Sequence, residues 1–150
     1  MNEERLVQRP SPTPDLESQP FFDAASRSEL LVRACPACGA FAWPVAGFAT
    51  CQVCWAHGLE WTRASGLGVI HSFTRVHSVP KDDDPAWAPF LLGVVELREG
   101  IRTQIIGLLP ADDGHVAVGD PVEVVFHPTR EGVIVPWFKV TSLTAGSVGA

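Results

Sequence analysis

The sequence predicts a mainly β protein: an N-terminal helix, a rubredoxin-like zinc ribbon, and a five-stranded barrel of the OB type. Three observations lead there. All four cysteines fall in two C-x-x-C pairs, Cys35/Cys38 and Cys51/Cys54, with twelve residues between the pairs. Beyond Ser65-Gly66-Leu67-Gly68, five runs rich in Val, Ile, Leu and Phe alternate with turn signals. Ahead of the cysteines, Phe21, Phe22, Ala25, Leu30 and Leu31, with Asp23 and Glu29 among them, fit an amphipathic helix of about three turns.

Composition bounds the rest. A chain of 150 residues can bury one sizeable core with a small appendage, and 46% hydrophobic with 19% charged residues is a globular balance. The longest apolar runs, such as Phe90 to Val95, fall far short of the ~18 residues a membrane span needs. The opening MNEERLVQRP has no apolar segment ahead of a cleavage site, so the chain reads as cytoplasmic.

In a reducing compartment thiols stay reduced, which turns the cysteines toward metal. Each C-x-x-C can fold as a tight turn aiming two sulfurs at one ion, and two such knuckles close a tetrahedral thiolate shell. The expected ligands are therefore Cys35, Cys38, Cys51 and Cys54, and the expected ion is structural zinc; iron, or a pair of disulfides, are the alternatives. Gly39, after Cys38, suits the cramped closing turn, whereas Cys54 is followed by Trp55. His57 is left as a surface or turn residue, because four sulfurs already fill the shell.

The segments divide as follows. Residues 1–20, with Pro10, Pro12, Pro14 and Pro20 and no apolar periodicity from Gln8 to Pro20, are expected to be a flexible arm. The helix is placed at 21–30 and the ribbon at 31–64, with strand-like pieces at Phe41–Trp43 and Leu59–Thr62; so few core residues imply that the ribbon needs its metal to fold. The barrel is placed at 65–141, with strands at Val69–Val76, Phe90–Leu97, Thr103–Leu109, Val122–Phe126 and Val133–Phe138, read as antiparallel. Arg98-Glu99-Gly100 is a hairpin signal, and Gly93 and Gly107 read as bulges or bends. Another small barrel or sandwich would have the same strand count. Residues 142–150 are expected to be a flexible tail.

The longest break between strands runs from His77 to Pro89, and a loop of that length in a compact barrel is more often functional than idle. Asp82-Asp83-Asp84 reads as a solvated acidic surface without the spaced ligands of a calcium loop. Trp87, between two prolines, is either a cap over one barrel end or an anchor for a partner. Phe73, Phe90 and Phe126, inside strands, read as core.

Charge weighs against nucleic acid, the alternative function for a ribbon beside a barrel. Residues 65–141 hold six Lys or Arg against ten Asp or Glu, a net of −4, and the chain has no Tyr for base stacking. Four thiolates with a divalent ion would take the chain from −6 to −8. Independent catalysis finds no support either: there is no G-x-S-x-G elbow and no phosphate-binding glycine loop, and the five histidines are scattered. No catalytic residue is assigned.

Taken in order, the Phe-Phe pair of the helix, the ribbon CPACG…WP…CQVC, then EWTRASGLGVIHSFTRVH, PFLLGVVELREGIR, VGDPVEVVF and VPWFKV resemble a family of small zinc-ribbon plus OB-fold proteins. That family, formerly a domain of unknown function, is associated with thiolase-like and acyl-CoA enzymes, and the resemblance covers about 21–141. Trp43-Pro44 stands where the family often has paired prolines, and Trp55 where it often has Gly; neither removes a metal ligand.

The resemblance implies a non-catalytic accessory subunit of a thiolase-superfamily enzyme: an aldolase of the lipid-transfer-protein-like kind that shortens steroid side chains, a thiolase or an acyltransferase. It implies acyl-CoA as the substrate of the complex and a heterotetramer with the enzyme subunit. On that reading Phe21, Phe22, Trp43 and Trp87 are the candidate partner- or ligand-binding residues, since large aromatics at the edges of small elements seldom fit into a single core.

Overall fold

The computed structural model of the protein describes residues 9–44, 49–81 and 83–141. The expected tail at 142–150, the first eight residues of the expected arm, and Asp82 lie outside them.

Helix α1 spans Gln19–Ser26, shorter than the expected 21–30. Its entry is fixed by a reciprocal pair: the Ser18 amide and hydroxyl donate to the Asp15 carboxylate at 2.8 and 2.6 Å, while the Asp15 amide donates to Ser18 Oγ at 3.0 Å. Pro20 sits in the first turn, where an amide would have no helical acceptor. The helix ends because Ser28 turns left-handed (φ 60°), with the amides of Arg27 and Ser28 bonded back to Ala24 and Ala25 carbonyls. Leu30 is thereby directed into the core, and Leu31 opens a strand.

Strands β1 (Leu31–Ala34), β2 (Phe41–Ala42) and β3 (Glu60–Arg63) make a small antiparallel sheet in the order β2-β1-β3. Five further strands close a barrel: β4 (Leu67–Val76), β5 (Phe90–Leu97), β6 (Ile106–Leu109), β7 (Pro121–Pro128) and β8 (Ile134–Val140), in the order β4-β5-β6-β8-β7. That cyclic order is the OB-type Greek key. The strands were expected to be all antiparallel, yet β6 and β8 run parallel, because β7 lies between them in sequence but not in space. The β5 hairpin turns as expected, with Gly100 at φ 82° and its amide donating to Leu97 O at 2.8 Å.

Gly93 and Gly107 mark close packing, a different role from the expected bends. A Cβ on Gly93 would stand 2.6 Å from the backbone oxygen of Ser72, and one on Gly107 would strike the ring of Trp137. The register shift of the β4–β5 ladder falls at His71.

The core gathers Phe138, Ile70, Leu97, Leu108, Val95 and Val122 of the barrel with Leu30 and Val32 from the β1 end of the ribbon, so the two sheets share one buried cluster. Helix α1 packs on both β1 and β8. Phe126 packs against this cluster as expected. Phe73 does not: it is 36% exposed, because β4 beyond Ser72 pairs with β5 alone and runs past the barrel wall.

Residues 9–18, expected within a mobile arm, lie along the barrel. The Arg130 amide donates to Arg9 O at 2.9 Å, the Ser11 amide to Glu131 Oε2 at 2.9 Å, and the Glu131 amide to Ser11 Oγ at 3.0 Å. The Arg9 guanidinium stacks over Phe90 at 4.1 Å and Trp137 at 5.2 Å. Composition alone hides such docking, since it comes from one stacked cation and a few backbone bonds.

Candidate functional site

The two knuckles bring their sulfurs together. All four Sγ atoms lie within 4.8 Å of one another, with Cys35–Cys54 at 3.6 Å and Cys38–Cys51 at 3.7 Å. None of the four is in a disulfide, whose sulfurs would be ~2.05 Å apart. A tetrahedral ion with bonds of ~2.3 Å to sulfur needs sulfur–sulfur edges of about 3.8 Å, so the cluster fits such an ion. Cys35 and Cys51 are buried beside Leu59, Ala40 and Ala56, while Cys38 and Cys54 face solvent. The bonds that shape the turns are local. The Cys35 amide donates to Ala40 O and the Cys51 amide to Ala56 O, each at 2.8 Å.

The same geometry prepares the sulfurs for a cation. The backbone amides of Cys54 and Val53 favour the Cys51 thiolate and bring its pKa down to about 6. At Cys38 the Ala40 amide also favours the thiolate, but loss of hydration at the sulfur and its hydrogen bonding to the other three sulfurs prevail and push its pKa up to about 12. His57 is not among the four: its Nδ1 lies 3.2 Å from Thr50 Oγ1.

Beside the ribbon, helix α1, the β1–β3 sheet and the barrel enclose a cleft of about 560 Å³. Phe21, Phe22 and Trp43 all line it, Phe21 standing edge-on to Phe22 (5.4 Å between ring centres) and to Trp43 (5.9 Å). Trp61 and Arg33 line the same space, with the guanidinium 4.5 Å over the indole, and the segment from Pro12 to Ser18 forms one wall. A second space of about 300 Å³ shares Arg33, Trp43 and Gln104 with the first and adds Arg102. Sequence reasoning missed Arg33 and Trp61. Their signal was cross-strand register, since Arg33 and Trp61 are direct partners of β1 and β3.

Trp87 stands apart from this group. It closes a 3₁₀ turn, Pro85–Trp87, whose first amides are capped by Asp84, the carboxylate accepting from the Ala86 amide at 2.9 Å. The indole is only 6% exposed and lies under the Arg130 guanidinium at 5.7 Å. Its burial is what the cap reading expects, and it sets Trp87 apart from the residues that line the cleft.

Residues 61–127 match the family described as ChsH2, C-terminal OB-fold domain. A DUF35 domain-containing scaffold protein of Methanothermobacter thermautotrophicus is 38% identical over 96 residues, covering 59% of this chain and 69% of that protein. A probable enoyl-CoA hydratase alpha subunit of Thermomonospora curvata is 27% identical over 134 residues, or 87% of this chain, but the match spans only 40% of that longer protein. Among solved structures, one titled Ltp2-ChsH2(DUF35) aldolase superposes with a TM-score of 0.71 at 23% identity, covering 87% of this chain and 98% of that one, a likeness of fold. Among the described residues, no helix is long and apolar enough to cross a membrane.

Proposed function

Because this chain belongs to the family of DUF35 domain-containing proteins, we propose that it is a cytoplasmic, non-catalytic accessory subunit of an acyl-CoA enzyme. The observation that carries the proposal is the 38% identity to a protein described as a DUF35 domain-containing scaffold. A relative described as a probable enoyl-CoA hydratase alpha subunit, and the like fold of a structure described as an Ltp2-ChsH2(DUF35) aldolase, support the choice of partner class.

The partner in this reading is a thiolase-like or lipid-transfer-protein-like enzyme subunit in a two-plus-two assembly, and steroid acyl-CoA thioesters are the first substrate class to try. Bond making or breaking then belongs to the partner. This chain contributes shape and dryness: Phe21, Phe22 and Trp43 line an apolar cleft that can bury part of a long acyl chain or a partner segment, while Arg33 offers a fixed cation at its edge.

Cys35, Cys38, Cys51 and Cys54 are proposed to hold zinc, which in a closed thiolate shell supplies structure and no open coordination position. The knuckles and the β1–β3 sheet then keep Trp43 and Arg33 where the cleft needs them.

A tagged pull-down from the native host with nuclease treatment, followed by mass spectrometry, tests the proposal. Stoichiometric recovery of a thiolase-superfamily subunit is expected, with recovery reduced by Phe22→Ala and Trp43→Ala. Nuclease-sensitive recovery of RNA-associated proteins in its place would overturn it.

A further inference from the structure

The two knuckles close in the same way with very different residues. Gly39 and Trp55 each stand four positions after the leading cysteine, and their amides donate to the carbonyls of Cys35 and Cys51 at 2.9 and 3.0 Å. Both are left-handed, with φ of 75° and 63°. Glycine takes that conformation without steric cost, while a bulky side chain there is an outlier. A tryptophan could offset the strain by burying its ring, but Trp55 is 72% exposed, and Val53 on the same turn is 70% exposed. The amide bond to Cys51 O and the sulfur cluster hold the turn, as they do at Gly39, but among the described residues the indole gains little burial from it. An exposed bulky side chain kept where glycine closes the same turn points to a contact outside the chain.

The surroundings indicate the kind of contact. From Ala34 to Leu59 there is no Asp, Glu, Lys or Arg, although 19% of the whole chain is charged. Along the chain, the turn that carries the exposed aromatic is thus free of charge, as the residues at the centre of a protein interface tend to be. A nucleic acid or an anionic membrane would need a cationic surface, and this stretch has none in a chain of net charge −6.

We propose that Trp55, flanked by Val53, is an anchor by which the second knuckle docks into an uncharged apolar pocket of the enzyme subunit this chain assembles with. The proposal rests on the accessory-subunit reading and adds a contact surface to it. Trp55 lines neither space of the cleft and lies outside residues 61–127.

The test uses the full chain and the enzyme subunit it retains through purification from its host, each then purified and titrated against the other. Trp55→Gly is expected to keep its metal and melt no lower than the wild type, yet to bind the enzyme subunit at least tenfold more weakly. Trp55→Asn, which also tolerates the left-handed backbone, should weaken binding similarly, and Trp55→Phe should restore part of the affinity. If Trp55→Gly and Trp55→Asn bind as tightly as wild type while Phe22→Ala does not, the surface is wrong and the accessory-subunit reading stands. A wild-type chain that retains no enzyme subunit overturns both. Sedimentation of the wild type with phosphatidylcholine vesicles, lost on Trp55→Gly while enzyme binding is unchanged, would assign the tip to lipid and overturn the protein pocket.

Discussion

The sulfurs of Cys35 and Cys54, the first cysteine of one knuckle and the last of the other, lie 3.6 Å apart. That spacing is too long for a disulfide and close to the edge of a tetrahedral thiolate shell. The purified chain is therefore expected to carry one zinc, and Cys51→Ser to lose it. The ribbon should loosen with it, and partner binding should fall through misfolding, since Val53 and Trp55 amides are held by the Cys51 side chain and carbonyl. Elemental analysis beside near-ultraviolet circular dichroism checks this; a Cys51→Ser protein with full metal content and an unchanged spectrum would refute the assignment.

Relief of strain at Trp55 is measurable in the isolated chain. Replacing a left-handed bulky residue with glycine removes a backbone cost of about 1 kcal/mol, partly offset by the extra freedom glycine gives the unfolded state. Trp55→Gly is expected to melt as high as the wild type or a few degrees higher. A clear drop in melting temperature would mean that the indole packs within the chain after all.

The barrel should be intolerant of a single methyl at its two closest approaches. Gly93→Ala would press on the Ser72 carbonyl, and Gly107→Ala on the Trp137 ring, so each is expected to cost about 1–3 kcal/mol in urea unfolding. Gly114→Ala is the control for space, since nothing lies within 4 Å of a Cβ there, although its φ of 85° carries a strain of its own. Gly93 and Gly107 have no left-handed φ, so a loss at either reads crowding alone, and unchanged stability at both would refute the close packing.

The seat of residues 9–18 should weaken in acid. The Ser11 hydroxyl and amide hold the Glu131 carboxyl below its ordinary value of 4.5. A depressed carboxyl stabilises the folded form above the unfolded pKa and loses that contribution as pH falls through the folded one. That contribution is thus present at neutral pH and is lost as pH falls below 4.5, while the Arg9 stack and the Arg130–Arg9 backbone bond do not depend on it. The Ser11 amide resonance should titrate with a midpoint under 4.5, and Glu131→Gln should abolish the titration. A midpoint above 4.5 would contradict the contact.

Local pattern alone carried much of this protein. Two C-x-x-C pairs specify a four-sulfur cluster because each knuckle closes through hydrogen bonds between residues four or five apart, as at Cys35 with Gly39 and Ala40. Runs such as Phe90–Leu97 announce strands because half-buried sheets need β-branched and aromatic side chains at alternate positions. What the tertiary structure decided depends on approaches between distant segments. Only the assembled barrel shows β6 beside a parallel β8, Gly107 beneath Trp137, Arg9 stacked on Phe90, and Trp87 enclosed. The same holds for the site: Phe21 of α1, Trp43 just past β2 and Trp61 of β3 converge on one cleft because Leu30 and Val32 share the barrel's core. Burial of apolar area is non-directional, so which surfaces meet is settled by the packing of the whole and not by the residues of any one stretch.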